Sequence, residues 1–541
     1  MSLNSNLKDE FNENTLLYLR WLKQNQVKIS PKITIYDYTS INQGRGVIAL
    51  QDIKNGEILA KIPKNILINL KQNLIIENFP CLKQKIIRLN HWDSLIIILS
   101  YEIRHKDKSK WKDYLKILPS CKSDFNQLMF WDSNELNMLQ PSYILERIGK
   151  DSAKKMFEQI KKIIEELKIT ELQDLTFDEY NIIATLIMSY SFDVELTDDE
   201  ENQLINEQLK TDSQEDKLAH ENHNTNEIQE IEDDETKEEI SILLDGNLKS
   251  MVPLADTLNA DTNYNNAVVI HESDYLVVTS IKDIKQGEQI YNTYSNHPNS
   301  EILRRYGYVE PEGSKFDFGD IPLSIIQQFF LEKYNVSEDD LNLLFEILGE
   351  ISYEERIEED EDTNEGVELI IDSYDCFKSG EVIIELIFLV QFLTTFLKSN
   401  QQIKISPVKR TYLKIYQLIS SKKVTTEFLK NFKEILEIRL DQYPIYASEP
   451  FDKILKIWNR DEMSEIVLKS EYHALKNCKD GGISTIGKTL DSKVKLIDDD
   501  KLIRAILKKR TTTENEGDIQ DGEEHKNGTH KEENNNKKQK L

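Results

Sequence analysis

The chain has 541 residues, 68 basic and 96 acidic side chains, and a formal net charge of −28. That length allows roughly two to four domains with sizeable cores, while 39% apolar and 30% charged residues predict that part of the chain is disordered. Nucleic-acid binding through bulk positive charge is excluded, and an acidic body favours a basic protein as partner.

Four cysteines, Cys81, Cys121, Cys376 and Cys478, lie far apart without a C-x-x-C pair. This argues against a disulfide framework and a cysteine-held zinc, and for a reducing compartment. The N-terminal stretch is polar and acidic, unlike a secretory signal. The longest apolar run, Val382 to Leu397, carries Glu385 and Gln391 and falls short of the ~20 residues of a spanning helix. It predicts a buried helix and no membrane partner.

In chain order, Thr15 to Asn25 predicts a short amphipathic helix. A β-rich region follows, with Asn55-Gly56 as a turn between two strand-like runs. From about Leu70 to Phe192 the pattern is helical; Phe157, Ile160, Ile164 and Leu167 recur at helical spacing. Between Glu195 and Glu239, 18 acidic residues face 3 lysines, a net −15, with no aromatic residue or proline. Such a segment buries too little apolar surface to offset its ordering entropy. It predicts a disordered acidic insertion over about 195–245, either a lure for a basic partner or a tolerated surface loop. β character then returns through about Tyr294. Asp52-Ile53-Lys54-Asn55-Gly56-Glu57 is echoed by Asp283-Ile284-Lys285-Gln286-Gly287-Glu288, which reads as one hairpin turn used twice. From about Pro322 to Leu507 the chain is mostly helical, interrupted by an acidic stretch from Glu354 to Glu365. A low-complexity tail, 508–541, follows. Lys508-Lys509-Arg510 and Lys537-Lys538 suggest nuclear import, with a solvated tail as the plainer explanation.

No G-x-G-x-x-G, H-E-x-x-H or G-x-S-x-G occurs, and the histidines do not pair at ligand spacing. No metal site is expected. Three features remain. Gly44-Arg45-Gly46 precedes a strand-like run, where glycines permit close backbone approach or positive φ. Pro253 to Asp261, PLADTLNAD, contains Asp256 and Asn259, which can fix a tight backbone through bonds to their own chain. Tyr291 to Glu310 clusters Tyr291, Tyr294, Tyr306 and Tyr308, phenols able to line a channel for an amine or to sit half-buried in a core. Read singly, each feature is more often a turn or a piece of core.

Together and in this order, they resemble a SET-domain protein-lysine methyltransferase of the Rubisco large-subunit methyltransferase-like branch. GRGVIALQDIKNGEILAKIP, DYLKILP, FWDSNELNML, IMSYSF, PLADTLNAD and GEQIYNTYSNHPNSEILRRYGYVE carry the likeness, and RLDQYPIYASEPFDKIL is similar to that branch's helical substrate-binding domain. The likeness covers roughly Leu16 to Ile503, and it is strongest to fungal ribosomal members. It implies an α+β fold: a β-rich, knotted SET core over 15–310, an inserted helical subdomain over about 70–192, and an all-helical substrate-binding domain over 318–507. It also implies S-adenosylmethionine as methyl donor and a lysine ε-amine as acceptor. By that likeness Gly44, Arg45 and Gly46 pass their backbone along the donor. Tyr190, with Ser189, contacts the donor, Asn259 and Ala260 belong to the donor-binding turn, and Tyr306 packs beside it. Tyr294 is the catalytic tyrosine near the transferring methyl. Ala260 departs from the Asn-His of many members.

The implied partner is a basic protein, in the ribosomal case a 60S ribosomal protein, with no direct nucleic-acid contact and the enzyme acting as a monomer in the nucleus and cytoplasm. Lysine has a pKa near ~10.4 and must be neutral to attack. Burial among phenols disfavours the ammonium, so catalysis by proximity and desolvation, without a dedicated base, is expected. Two other readings stand beside this one. The first is a catalytically silent SET-derived module that binds a basic protein or histone tail, for which Ala260 is the small mark. The second is a scaffold whose helical lobe carries the function.

Overall fold

The protein is seen in a computed structural model that describes residues 2–205, 246–357, 368–451 and 459–508. A long helix opens it, α1 (Ser2–Gln24), which begins well before the expected Thr15. Ten short strands follow in the first half. β1 (Lys28–Ile29), β4 (Ile58–Pro63), β9 (Tyr275–Ser280) and β8 (Ala267–His271) form one sheet in the order β1-β4-β9-β8. A second sheet has the order β2-β3-β10-β7, from β2 (Ile33–Asp37), β3 (Arg45–Ala49), β10 (Gln289–Asn292) and β7 (Asn259–Ala260). β5 (Ser191–Glu195) and β6 (Asn247–Met251) pair antiparallel at the root of the acidic segment.

Alternation explains the strands locally. Ile33 and Ile35 of β2 turn into the core, as do Val47 and Ala49 of β3. The decisive pairing is parallel: Tyr291 lies beside Asn259, and Asn292 beside Ala260. β10 meanwhile pairs antiparallel with β3 through Ile290 and Val47. Segments more than 200 positions apart, around Gly46 and Tyr291, thus become neighbours in one sheet.

The echoed hexapeptides are more than a repeated hairpin. Asp52 Oδ1 accepts from the Gln286 amide at 3.0 Å, and Asp283 Oδ1 accepts from the Asn55 amide at 3.0 Å. Ile53 and Ile284 exchange backbone bonds at 2.9 Å in both directions. Lys54 bonds Asp283 at 2.9 Å, and Lys285 bonds Asp52 at 3.1 Å. Each turn caps the other, which ties the two β regions into one unit.

Between the β regions lie α2 (His91–Arg104), α3 (Lys150–Leu167) and α4 (Phe177–Tyr190). Asn90 caps α2 by accepting from the Asp93 amide, and Thr176 with Glu179 forms a capping box at α4. The expected apolar stripe of α3 is present: Phe157, Ile160, Ile164 and Leu167 are all buried.

The first residues of the expected acidic insertion are ordered. Glu195 is the last residue of β5, and a helical turn continues to Ile205, where Leu204 and Ile205 are buried. Glu200 bonds Lys71 at 2.6 Å. Two apolar side chains and a partnered carboxylate order this stretch despite its charge; the rest of the expected insertion, 206–245, lies outside the described residues.

Beyond α5 (Asn299–Tyr306), the second half opens on a strand, β11 (Phe318–Pro322), paired with β12 (Ser373–Phe377). Helices dominate after it: α6 (Leu323–Tyr334), α7 (Glu338–Ile357), α8 (Ile384–Lys398), α9 (Ile405–Ser420), α10 (Thr426–Leu440) and α11 (Arg460–Gly481). The long apolar run is the buried α8, where Gln391 exchanges bonds with Thr425. Among the described residues no helix is long and apolar enough to cross a membrane. The acidic stretch from Glu354 starts in the last turn of α7, and 358–367 lie outside the described residues, as does the tail after 508.

The two halves share a core. Leu128, Trp131 and Leu139 from the inserted helices, Leu303 of α5, and Met463 and Val467 of α11 form one apolar cluster. Arg439 of α10 bonds Asp320 and reaches the Pro141 carbonyl at 2.9 Å. This holds α5, and with it Tyr306, at a fixed place relative to the helical half.

Candidate active site

The site grows from the β3–β10–β7 strands. Gly44 sits at φ +57°, with open space where a side chain would be, so its glycine serves backbone conformation. Gly46 serves space: a Cβ there would come within 2.6 Å of Asn259 Nδ2 and 2.8 Å of Gln289 Nε2. The Asn259 Nδ2, the Gln289 Nε2 and the Tyr38 hydroxyl are all buried, and none has a hydrogen-bond partner among the described residues. Unpaired buried polar atoms are costly, so the convergence of the two amide nitrogens on one glycine marks an incomplete environment.

Arg45 turns its side chain away from this cradle. Its Nε donates to Thr15 Oγ1 at 2.9 Å, and Nη2 to the Phe11 carbonyl at 3.2 Å, with the guanidinium 3.8 Å over the Phe11 ring. Its side chain therefore anchors α1 as well as any role its backbone has. Asp256 makes the expected local bond, accepting from Thr257 Oγ1 at 3.4 Å, and also reaches beyond it. It is buried and accepts from the Tyr114 hydroxyl, 142 positions away, and burial pushes its carboxyl up to about 7. Asp261 likewise bonds its own chain, accepting from the amides of Asn263 and Tyr264 at 2.8 and 3.1 Å. Asn259 and Ala260 are the two residues of β7, and Ala260 is buried beside Asn292.

Tyr294 follows β10 and donates its hydroxyl to the Leu258 carbonyl at 2.8 Å, one residue before Asn259. Its ring lies 4.8 Å from Tyr306 and 6.3 Å from Tyr308, the latter edge-on. Burial first, then the neighbouring Tyr190 and Asp256, raises the Tyr294 phenol far above its ordinary value, so it stays protonated. Tyr190, at the end of α4, is pushed up to about 12 by burial and Asp256. Ser189 beside it donates to the Arg305 carbonyl at 2.7 Å and accepts from Gln127 at 2.9 Å, so α4 and α5 are tied together behind the phenols. Tyr291 leaves the cluster; it pairs with Tyr264 and bonds Gln43 and Gln289.

A tight cavity of ≈ 10 Å³ is lined by Ala260, Thr262, Tyr294, His297, Tyr306 and Tyr308. The strands thus bring Gly46, Asn259, Ala260, Tyr294 and Tyr306 together, with Tyr190 alongside, while Gly44 sits in the turn before β3 with nothing within 4 Å of where its Cβ would be. Reading the sequence missed Gln127, Tyr114 and His297; Tyr114 and His297 stood inside quoted motifs, but no local pattern singled either out. Among the described residues no group of three His, Cys, Asp or Glu is placed to hold a metal.

A family model described as SET domain matches residues 44–295. Ribosomal lysine N-methyltransferase 4 of Saccharomyces cerevisiae is 36% identical over 94% of this chain and 98% of its own length. The chain belongs to the SET-domain lysine N-methyltransferases. Ribosomal lysine N-methyltransferase 4 of Schizosaccharomyces pombe is 26% identical over 60% of this chain and 73% of its own length. N-lysine methyltransferase setd6 of Salmo salar is 27% identical over 59% of this chain and 62% of its own. Among solved structures, Rubisco LSMT bound to sinefungin and monomethyllysine shares the fold at a TM-score of 0.55 and 18% identity, covering 92% of this chain and 97% of that one. This SET enzyme therefore has the α+β architecture expected from its sequence, extended by its helical half.

Proposed function

We propose that the enzyme moves a methyl group from S-adenosylmethionine to the ε-amine of a lysine on a large-subunit (60S) ribosomal protein. The observation that carries the reading is the Tyr294 hydroxyl resting on the Leu258 carbonyl, beside the Gly46–Asn259 cradle. One side of the β7–β10 seam then serves the donor and the other serves the amine. The name of the yeast relative supports a ribosomal substrate. The charge of −28 supports a basic partner, whose encounter such a field speeds.

The residues present fit the donor. The unpartnered amide nitrogens of Asn259 and Gln289 offer hydrogen bonds, and Gly46, having no Cβ, lets both close on its backbone. When bound, S-adenosylmethionine supplies an electrophilic methyl on a sulfonium. The chain supplies the rest. Gly44 turns the backbone so that β3 runs past the cradle, and Asn259 orients what lies there. Tyr190 closes one wall. Tyr294, Tyr306 and Tyr308 present π faces that accept an arriving ammonium and exclude water. Desolvation then lowers the lysine pKa and frees the lone pair. The Tyr294 hydroxyl, held protonated, can align the nitrogen for in-line displacement without consuming it as a base. Ala260 lies in β7 with its backbone paired, so a missing histidine ring removes no strand contact there.

Nuclear residence belongs to the same proposal and rests on the basic residues around Lys508 and Lys537. The test is direct. Purified enzyme, labelled donor and washed large ribosomal subunits are incubated, and the proteins are weighed intact. Methyl increments on one ribosomal protein, lost on mutating a single lysine, support the proposal; label on no ribosomal protein removes that substrate.

A further inference from the structure

The incoming lysine is an ammonium at neutral pH, and its proton must go somewhere before the nitrogen can attack. The lining of the cavity offers few acceptors. The three phenols are raised above their ordinary values by burial and hold their own protons. Glu310 accepts from the Thr262 amide at 2.7 Å and from Asn263 Nδ2 at 3.2 Å, and burial pushes its carboxyl up to about 8. It is therefore mostly protonated near pH 7. Asp261 spends Oδ1 on the two amides of the turn that follows it.

His297 is different. It stands in the loop between β10 and α5, lines the same cavity as Tyr294, and lies 6.2 Å, ring to ring, from Tyr306. The Ser314 hydroxyl fixes its backbone by donating to the His297 carbonyl at 2.7 Å. Among the described residues no hydrogen bond reaches either ring nitrogen. The charged neighbours are on α5, and they are already engaged with one another: Glu301 accepts from Arg304 at 2.7 Å and from Arg305 at 3.0 Å. Burial, then Arg305, holds the imidazole pKa below its ordinary value. The ring is thus neutral at pH 7, with a free lone pair at the channel.

We propose that the imidazole of His297 takes the proton shed by the substrate lysine. This rests on the lysine-methyltransferase reading and replaces the expectation that no base is needed. In the step, one N–H bond of the ammonium breaks and its proton passes to an imidazole nitrogen, directly or through one water. The freed lone pair forms the N–CH₃ bond, and the C–S bonding electrons stay on the sulfur as the sulfonium becomes a neutral thioether. The product stays a secondary ammonium, and the imidazolium returns its proton to solvent.

Kinetics against pH test this. A proton retained on His297 during transfer makes wild-type kcat/KM level off above the imidazole pKa and fall with unit slope below it. Without such an acceptor, kcat/KM climbs with unit slope until lysine itself loses its proton. His297→Gln is expected to show that continuous climb, to be about 10²-fold slower at pH 7, to approach wild type at high pH, and to regain rate with added imidazole. Its donor affinity by calorimetry is expected to be unchanged. A wild-type profile that climbs unbroken through pH 9 overturns the inference, and needs no folded variant. A glutamine variant with the wild-type profile also overturns it. Either result leaves methyl transfer standing, whereas wild-type enzyme inactive at every pH would instead remove the reading beneath it.

Discussion

Two pairs of buried amides behave in opposite ways. In the helical half, Gln391 donates to Thr395 and Thr425 at 3.0 Å and accepts from the Thr425 amide at 2.8 Å. Asn431 donates to Tyr334 and Thr394 and accepts from Lys333. In the sheet of the first half, Asn259 and Gln289 leave their amide nitrogens buried and unpaired around Gly46. A protein that can satisfy such groups in one lobe and leaves them idle in the other has an unfinished site, which a ligand completes. The helical half is built for rigidity, and the β7–β10 seam for binding.

The sharpest way to break this contrast is at the phenol. Tyr294→Phe keeps the ring packing and loses only the bond to Leu258. Turnover measured with labelled donor is expected to fall about 10²-fold, with the melting temperature little changed. Full activity in that variant would remove Tyr294 from the reaction.

Gly46→Ala probes the donor side. The added methyl meets Asn259 Nδ2 at 2.6 Å, and overpacking of this kind costs ~1–3 kcal/mol. Donor affinity by calorimetry is expected to drop about tenfold or more, the equivalent of ~1.4 kcal/mol. Gly56→Ala is the control. Its φ of +83° makes alanine strained, but nothing crowds its Cβ, so stability falls while donor affinity holds. Equal loss of affinity in both variants would show that Gly46 acts through folding alone.

Much of this contrast was legible in the chain. Gly44 and Gly46, the turn holding Asn259 and the tyrosines stood out only together and in order, through their likeness to a known family; read singly, each was more often a turn or a piece of core. What was hidden depended on partners far away. Nothing local says that Asp256 will bond Tyr114, that Arg45 will clasp α1, or that the two DIK-type turns will cap each other rather than merely resemble each other. The order of residues 195–205 was hidden because charge density outweighed Leu204 and Ile205, two apolar residues that packing makes decisive. His297 was passed over because a lone histidine in a polar loop carries no periodic signal.

Smaller effects sharpen the picture. Removing residues 206–245 takes away much of the acidic charge and is expected to slow association with a basic substrate several-fold at low salt and little at high salt. An unchanged salt dependence of kcat/KM would make that segment a passive loop.

The helical half has its own pH signature. Glu471 of α11 accepts from Ser142 and Tyr443, and burial pushes its carboxyl up to about 8. A carboxyl raised above its unfolded value of ~4.3 binds its proton more tightly when folded. Its stabilisation is therefore fully present below ~4.3 and is lost as pH climbs through about 8. Thermal melts from pH 5 to 9 are expected to decline across that window, and to decline less steeply in Glu471→Gln, where the raised carboxyls of Asp256 and Glu310 remain. Parallel curves for the two proteins would contradict this assignment.

The central claim is that one seam joins a donor cradle to an amine channel. Its most direct test is single-turnover methyl transfer from labelled S-adenosylmethionine to large ribosomal subunits, with donor binding measured on the same samples. The account predicts that wild type binds and transfers, Tyr294→Phe binds without efficient transfer, and Gly46→Ala loses binding first. Donor bound normally by wild type with no label reaching any lysine would contradict it.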